Sequence, residues 1–238
     1  MSFFMKTSSP EDWKSKLADP EKHWKPGYSA RTLAYSWMDA QGFPRSVRNV
    51  FQKSDYPLFN NIKFLLGIIE HEVPLPGRYP SQNDIFVLAK SQENLVSIAV
   101  EGKVSEPFGK IIAEWFKDKS AGKADRLKFL CESLGLNKDS IRGIRYQLLH
   151  RTTSALLEAK RFNASTALML VHSFSQKNEG FHDYSRFAKH LGVMLVQLNT
   201  VHFAKRIGDV DLYLAWVTGK EKYLSIEENK AVFLAKHG

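Results

Sequence analysis

Cysteine is nearly missing from this chain: Cys131 is the only one in 238 residues. A single thiol excludes an internal disulfide and a cysteine-based zinc site, and it points to a reducing compartment. Long apolar runs are missing as well. A run such as FLLGII from Phe64 to Ile69 falls far short of the roughly 20 residues that a membrane span needs. The N-terminal MSFFMKTSSPEDW turns polar too early for a signal-peptide core. A cytoplasmic protein with no membrane partner is the expectation. The motifs G-x-x-x-x-G-K-[ST], G-x-G-x-x-G after a strand, H-E-x-x-H and G-x-S-x-G are also absent, which removes the commonest nucleotide, zinc-protease and esterase readings.

Positive charge, by contrast, is in excess. Thirty-four Lys and Arg against 25 Asp and Glu give a net charge of +9, a balance that favours a polyanionic partner, DNA or RNA before a membrane surface. With 43% hydrophobic and 25% charged residues the composition is that of an ordinary globular protein.

Periodicity and turn signals predict one α/β domain over residues 1–238, with a helical lead-in (1–60), a core (61–175), and a C-terminal helix and β-hairpin (176–238). Helix starts are marked at Ser9-Pro10-Glu11-Asp12 and at Ser29, where YSARTLAYSWMDAQG runs to Gly42, and RSVRNVFQK follows Pro44. IKFLLGIIEHEVPLPG fits a strand or a buried helix. DIFVLA and LVSIAV read as two strands of a hairpin joined by the polar linker KSQEN. Helical patterns then cover SEPFGKIIAEWFKD, KADRLKFLCESLGL and SIRGIRYQLLHRTTSALLEAKRF. TALMLVHSF reads as a buried parallel strand, YSRFAKHLG as a helix, and IGDVD as a turn between two last strands.

The hairpin gathers the chemistry. Centring its turn between Gln92 and Glu93 puts Asp84 across from Glu101, and cross-strand Cβ atoms lie about 5 Å apart, close enough for two carboxylates to share one ion. Lys103, two residues on, shares the face of Glu101. Two carboxylates and a lysine suit phosphodiester hydrolysis: the carboxylates hold a hard divalent cation, and the lysine orients water or offsets phosphate charge. The bland alternative is a surface salt bridge where a strand exits. The same short pattern recurs at Asp12-Trp13-Lys14, Glu158-Ala159-Lys160 and Glu228-Asn229-Lys230, but in segments that read as helix or terminus.

On the long helix, Gln147, Arg151, Ser154 and Glu158 form one polar stripe that either faces solvent or lines a site. Arg145, His150 and Arg151 are candidates to contact a substrate phosphate. Lys110, Lys117, Lys119, Lys123, Arg126 and Lys128 are candidates to meet the rest of the backbone. His172, in an apolar strand, reads as a hydrogen-bonded core residue, His71 as structural, and Trp13, Trp24, Trp37 and Trp115 as core.

The order of a strand with Asp84, a strand ending Glu101-Gly102-Lys103, a helix with Gln147 and the strand TALMLVHSF resembles the core of the PD-(D/E)XK, or restriction-endonuclease-like, superfamily. Through HWKPGYSARTLAYSW, VEGKVSEPFG and IRYQLLHRTTSALLEAKRF the chain is also similar to a family of uncharacterised, mostly bacterial proteins. The superfamily resemblance implies a mixed central sheet flanked by helices and a nuclease dependent on Mg (or Mn). It implies Asp84 and Glu101 as metal ligands, with Glu70 or Glu72 as a further acid, Lys103 as the catalytic lysine, and Gln147 as the helix glutamine. Two positions depart from the pattern: Asn83 stands where the motif has proline, and Arg151 where the glutamine's partner is usually aromatic. A non-catalytic nucleic-acid-binding or regulatory protein that keeps this fold is the alternative.

Overall fold

Side chains alternate across a strand, so the burial of successive residues shows what each face of a sheet meets. In the computed structural model, which describes residues 2–3, 9–17 and 19–226, that alternation sorts the core into two halves. The chain begins with β1 (Ser2–Phe3), a 3-10 helix (Pro10–Lys16), α1 (Pro20–His23), α2 (Ser29–Ala40), α3 (Arg45–Gln52) and α4 (Pro57–Asn60). Three long strands follow, β2 (Lys63–Val73), β3 (Ser81–Ser91) and β4 (Asn94–Lys103), then α5 (Ile112–Trp115), α6 (Ala121–Leu134) and α7 (Tyr146–Arg161). The remainder is β5 (Thr166–Ser173), α8 (Phe181–His190), β6 (Thr200–Ile207), β7 (Val210–Thr218) and a second 3-10 helix (Glu221–Tyr223).

The strands form one mixed sheet of seven in the order β1-β2-β3-β4-β5-β7-β6. β2, β3 and β4 are an antiparallel meander, while β4, β5 and β7 run parallel and so end on the same edge. Val96, Ile98 and Val100 of β4, with Leu168 and Leu170 of β5, face the N-terminal helices. Ala99, Ala167, Met169 and Val171 face α6, α7 and α8. β5 is buried along its whole length, as a parallel strand covered on both faces must be.

Several expectations hold and others need correction. The hairpin turns at Gln92 and Glu93, with Ser91 opposite Asn94 and Ile85 opposite Val100, as the linker predicts. IKFLLGIIEHEVPLPG forms the strand β2. SEPFGKIIAEWFKD is helical only over Ile112–Trp115, because Pro107 and Gly109 (φ +67°) break the segment before it. SIRGIR does not join the long helix. Its backbone is drawn instead to the α5 segment, where the Ile112 N–H donates to the Ile144 carbonyl at 2.8 Å and the Tyr146 N–H to the Lys110 carbonyl at 3.0 Å. Glu228-Asn229-Lys230 lies outside the described residues. Trp13, Trp24 and Trp37 are buried as expected, whereas Trp115 is half-buried and stacks on Tyr146 with ring centroids 4.1 Å apart.

His172 is the core residue its setting suggested. The Trp37 Nε1–H donates to His172 Nδ1 at 3.1 Å, and Nε2 lies 3.0 Å from the Ser46 hydroxyl. An indole only donates, so Nδ1 is unprotonated and the ring neutral. Burial agrees, pushing the imidazole down to about 3.

Candidate active site

Small residues let α7 lie close on the sheet beside Glu101 and Lys103. Ser97 and Ala99 line the same face of β4, and the Ser97 hydroxyl donates to the Ala155 carbonyl of α7 at 2.8 Å. Buried Thr152 and Ser154 are satisfied within the helix, donating to the carbonyls of Leu148 and His150 at 2.8 Å each. α7 therefore turns its polar stripe toward the sheet: Arg151, Ser154 and Glu158 are buried and Gln147 half-buried.

Three carboxylates meet this stripe from adjacent strands. Ile85 pairs with Val100, so Asp84 and Glu101 are the next cross-strand position. Ile69 pairs with Ile85 and His71 with Asn83, which puts Glu70 opposite Asp84. Glu70 has a left-handed backbone, φ +49°, a conformation that costs a residue with a side chain about 1 kcal/mol or more and that concentrates at functional sites. Gly102, between the two motif residues, donates its N–H to Asp84 Oδ2 at 2.7 Å. A Cβ there would lie 3.1 Å from Leu33 Cδ2 and 3.3 Å from Asp84 Oδ2, so any side chain would press on both.

Glu101 is the hub. Its Oε1 accepts from Lys103 Nζ at 2.8 Å and Gln147 Nε2 at 2.6 Å, and its Oε2 from Arg151 Nε at 2.5 Å. Lys103 also donates to Gln147 Oε1 at 3.0 Å and lies 5.0 Å over the Phe108 ring. Arg151 Nη2 stands 3.9 Å from Asp84 Oδ1, and Nη1 donates to the Ser81 hydroxyl at 3.4 Å. Glu101, Lys103 and Arg151 are only 2%, 4% and 7% exposed, so these charges have been taken out of water.

The electrostatics divides the acids. Burial opposes the Glu101 charge, but Arg151 and Lys103 outweigh it and hold Glu101 below the usual carboxylate range. Burial and then the Glu101 charge push Asp84 up to about 7, although a fifth of its side chain remains exposed. Burial and then Asp84 push Glu70 up to about 9. Two carboxyl groups that hold protons near neutral pH mark negative charge that Arg151 and Lys103 leave uncompensated.

Other candidates are placed differently. Glu72 is exposed and outside the cluster. Arg145 caps α7, bound to Asp183 at 2.7 Å and the Gly109 carbonyl at 2.8 Å. His150 lies 2.7 Å from the Ser81 hydroxyl, and burial, followed by nearby Arg151, Arg126 and Lys103, holds it well below its ordinary value, so it is a neutral imidazole. Lys110, Lys117, Lys119 and Lys128 are exposed. Arg126 turns inward to the Pro76 and Tyr79 carbonyls and pins the loop before Ser81. Ser81 and Gly102 join the site without having been singled out in the sequence. Gly102 had a signal, its place inside Glu-Gly-Lys; Ser81 had none.

The donor set suits a hard divalent cation. Mg commonly takes one or two carboxylates and keeps several waters, and Asp84 Oδ1 and Glu70 Oε1 accept no hydrogen bond among the described residues. Also among the described residues, no three His, Cys, Asp or Glu side chains are grouped to hold an ion together. Asp84 and Glu101 are the carboxylate pair at hand for such an ion, with Glu70 beside them, and both oxygens of Glu101 already accept from Lys103, Gln147 or Arg151. No helix of the described residues is long and apolar enough to cross a membrane.

Neither a curated protein nor a solved structure matches the chain. Residues 6–221, most of its length, match one family, and the chain belongs to it: Domain of unknown function (DUF6946).

Proposed function

We propose that the protein is a metal-dependent nuclease that hydrolyses a nucleic-acid phosphodiester. The observation that carries this reading is the convergence of Asp84, Glu101 and Lys103 at one end of the β3–β4 hairpin, closed by Gln147 of α7. Burying so many charges is costly, and apolar residues of similar volume would serve the fold as well or better, which favours a chemical use for the cluster. Three antiparallel strands, α7, and then β5 parallel to β4 form a mixed sheet flanked by helices, which supports the same superfamily reading.

A divalent cation held by Asp84 and Glu101 would supply a water of lowered pKa and positive charge against the phosphate. The protein's own groups do the positioning. Lys103 has three N–H donors, of which Glu101 and Gln147 take two, leaving one for the attacking water or a phosphate oxygen. Gln147 bridges Lys103 and Glu101 and fixes both. The Gly102 N–H holds Asp84 Oδ2, so Oδ1 would be the oxygen free to hold the cation. The net charge of +9 favours the polyanionic substrate.

The non-catalytic alternative has one observation in its favour: Arg151 already neutralises Glu101 without a metal. Incubation of DNA and RNA, single- and double-stranded, with Mg or Mn decides between them. The nuclease reading expects cleavage that Lys103→Ala abolishes while metal binding survives, and that Asp84→Asn abolishes together with metal binding. A wild type that cuts nothing, with both variants binding nucleic acid as it does, establishes the binding protein instead.

A further inference from the structure

Arg151 is the cation that the proposed reaction does not require. It comes from α7, is 7% exposed, and sits between two of the acids, with Nε 2.5 Å from Glu101 Oε2 and Nη2 3.9 Å from Asp84 Oδ1. Lys103 and Gln147 occupy Oε1 of Glu101, so Oε2 is the oxygen left for any further ligand, and Arg151 covers it. A lysine or histidine there could shed its proton, but a guanidinium stays charged.

Taking the metal-dependent reading as its basis, we infer that Arg151 and the divalent cation are alternative occupants of the space between Asp84 and Glu101. With no metal present, the guanidinium neutralises the carboxylates and keeps the site folded. When the cation takes Glu101, Arg151 must leave Oε2. The Ser81 hydroxyl, 3.4 Å from Nη1, already lies on its other side, and a freed guanidinium beside the ion is placed to take a substrate phosphate. The site thus trades an internal cation for an external one, and its metal affinity is set low by the arginine it has to displace.

A structural arginine would behave in the opposite way. If Arg151 only held Asp84 and Glu101 together for the metal, its loss would loosen the ligands and weaken binding. If it competes, its loss removes the repulsion between a unit charge and a dication about 4 Å apart, which even at the dielectric of water amounts to about tenfold or more in affinity.

Calorimetric titration with Mn, in the absence of nucleic acid, separates the two. Arg151→Met is expected to bind Mn about tenfold or more tightly than wild type, with Arg151→Lys in between, and circular dichroism checks that each is folded. Affinity equal to or weaker than wild type in Arg151→Met overturns the inference. Should Arg151→Met fail to fold, the wild type carries the test by NMR. Mg is expected to shift the Arg151 Nε–H resonance away from its hydrogen-bonded position, and a resonance unmoved at saturating Mg overturns the inference. Failure here is distinct from failure of the nuclease reading. A wild type that cleaves, with no gain of affinity in Arg151→Met, sinks the competition alone; a gain of affinity in a protein that never cleaves sinks the nuclease and leaves the competition standing.

Discussion

Neutralising Asp84 and neutralising Glu101 are expected to change stability in opposite directions, although the two carboxyl groups are cross-strand neighbours. Burial and the Glu101 charge raise Asp84 from 3.8 to about 7, so the folded protein binds a proton there that the unfolded chain releases above pH 4. The sign follows from linkage: a raised carboxylate costs nothing below the unfolded value, and its penalty grows as pH climbs to the folded one. Taken at face value the difference is about 4 kcal/mol above pH 7, and allowing for the exposed fifth of the side chain leaves on the order of 2 kcal/mol. Asp84→Asn, whose amide oxygen still accepts the Gly102 N–H, should therefore be more stable than wild type at pH 8 without metal and indistinguishable from it near pH 4. Glu101→Gln removes the carboxylate that both Arg151 and Lys103 are bonded to and leaves Arg151 only the looser contact to Asp84 at 3.9 Å, a loss of about 3–5 kcal/mol. In a chain of this size each kcal/mol moves Tm by about 2–4 °C. Thermal melts followed by circular dichroism in EDTA, at pH 4 and 8, should show Tm at pH 8 rising by about 4–8 °C for Asp84→Asn and falling by about 6–20 °C for Glu101→Gln. Equal losses in both variants would refute this division of charge.

Gly102→Ala should cost about 1–3 kcal/mol, because its methyl group presses on Leu33 and on Asp84 Oδ2, and it should weaken Mn binding by turning Asp84; a variant with wild-type melting and Mn affinity would contradict that packing. Nucleic-acid binding should fall steeply with salt, and replacing the exposed Lys110, Lys117 and Lys119 with Ala should flatten the slope of log K against log[salt] by up to about three. A filter-binding series between low and high salt measures it, and an unchanged slope means that these lysines face away from the bound backbone.

The hairpin could be read from sequence because two independent signals agree on it: the period-2 apolar pattern of DIFVLA and LVSIAV, and a polar linker centred on Gln92-Glu93. Once the register is set, the convergence of Asp84, Glu101 and Lys103 follows from geometry. The stripe on α7 was harder, since Arg151, Ser154 and Glu158 look alike whether they face water or a site. What decides is tertiary: small Ser97 and Ala99 admit the helix, and Glu101 compensates Arg151. Glu70 could not be told from Glu72 because residues two apart share a strand face, and only the β2–β3 register sets Glu70 opposite Asp84 and Glu72 opposite Gln82; the positive φ of Glu70 has no sequence signal. Arg145 and Arg126 were legible as cations, not as residues committed to Asp183 and to the loop carbonyls. The over-long helices at SEPFGKIIAEWFKD and SIRGIR share one cause: their apolar periodicity is real, but Gly109 and the backbone pairing of Ile112 with Ile144 take the chain elsewhere.

The proposed nuclease requires Asp84 and Glu101 to be ligands for a divalent cation beside Lys103. A crystal soaked in Mn and measured at the manganese absorption edge tests it most directly. An anomalous difference peak is expected between Asp84 Oδ1 and Glu101 Oε2, with the Arg151 guanidinium moved off Glu101. A fully soaked crystal with no peak there, and Arg151 still on Glu101, would contradict it.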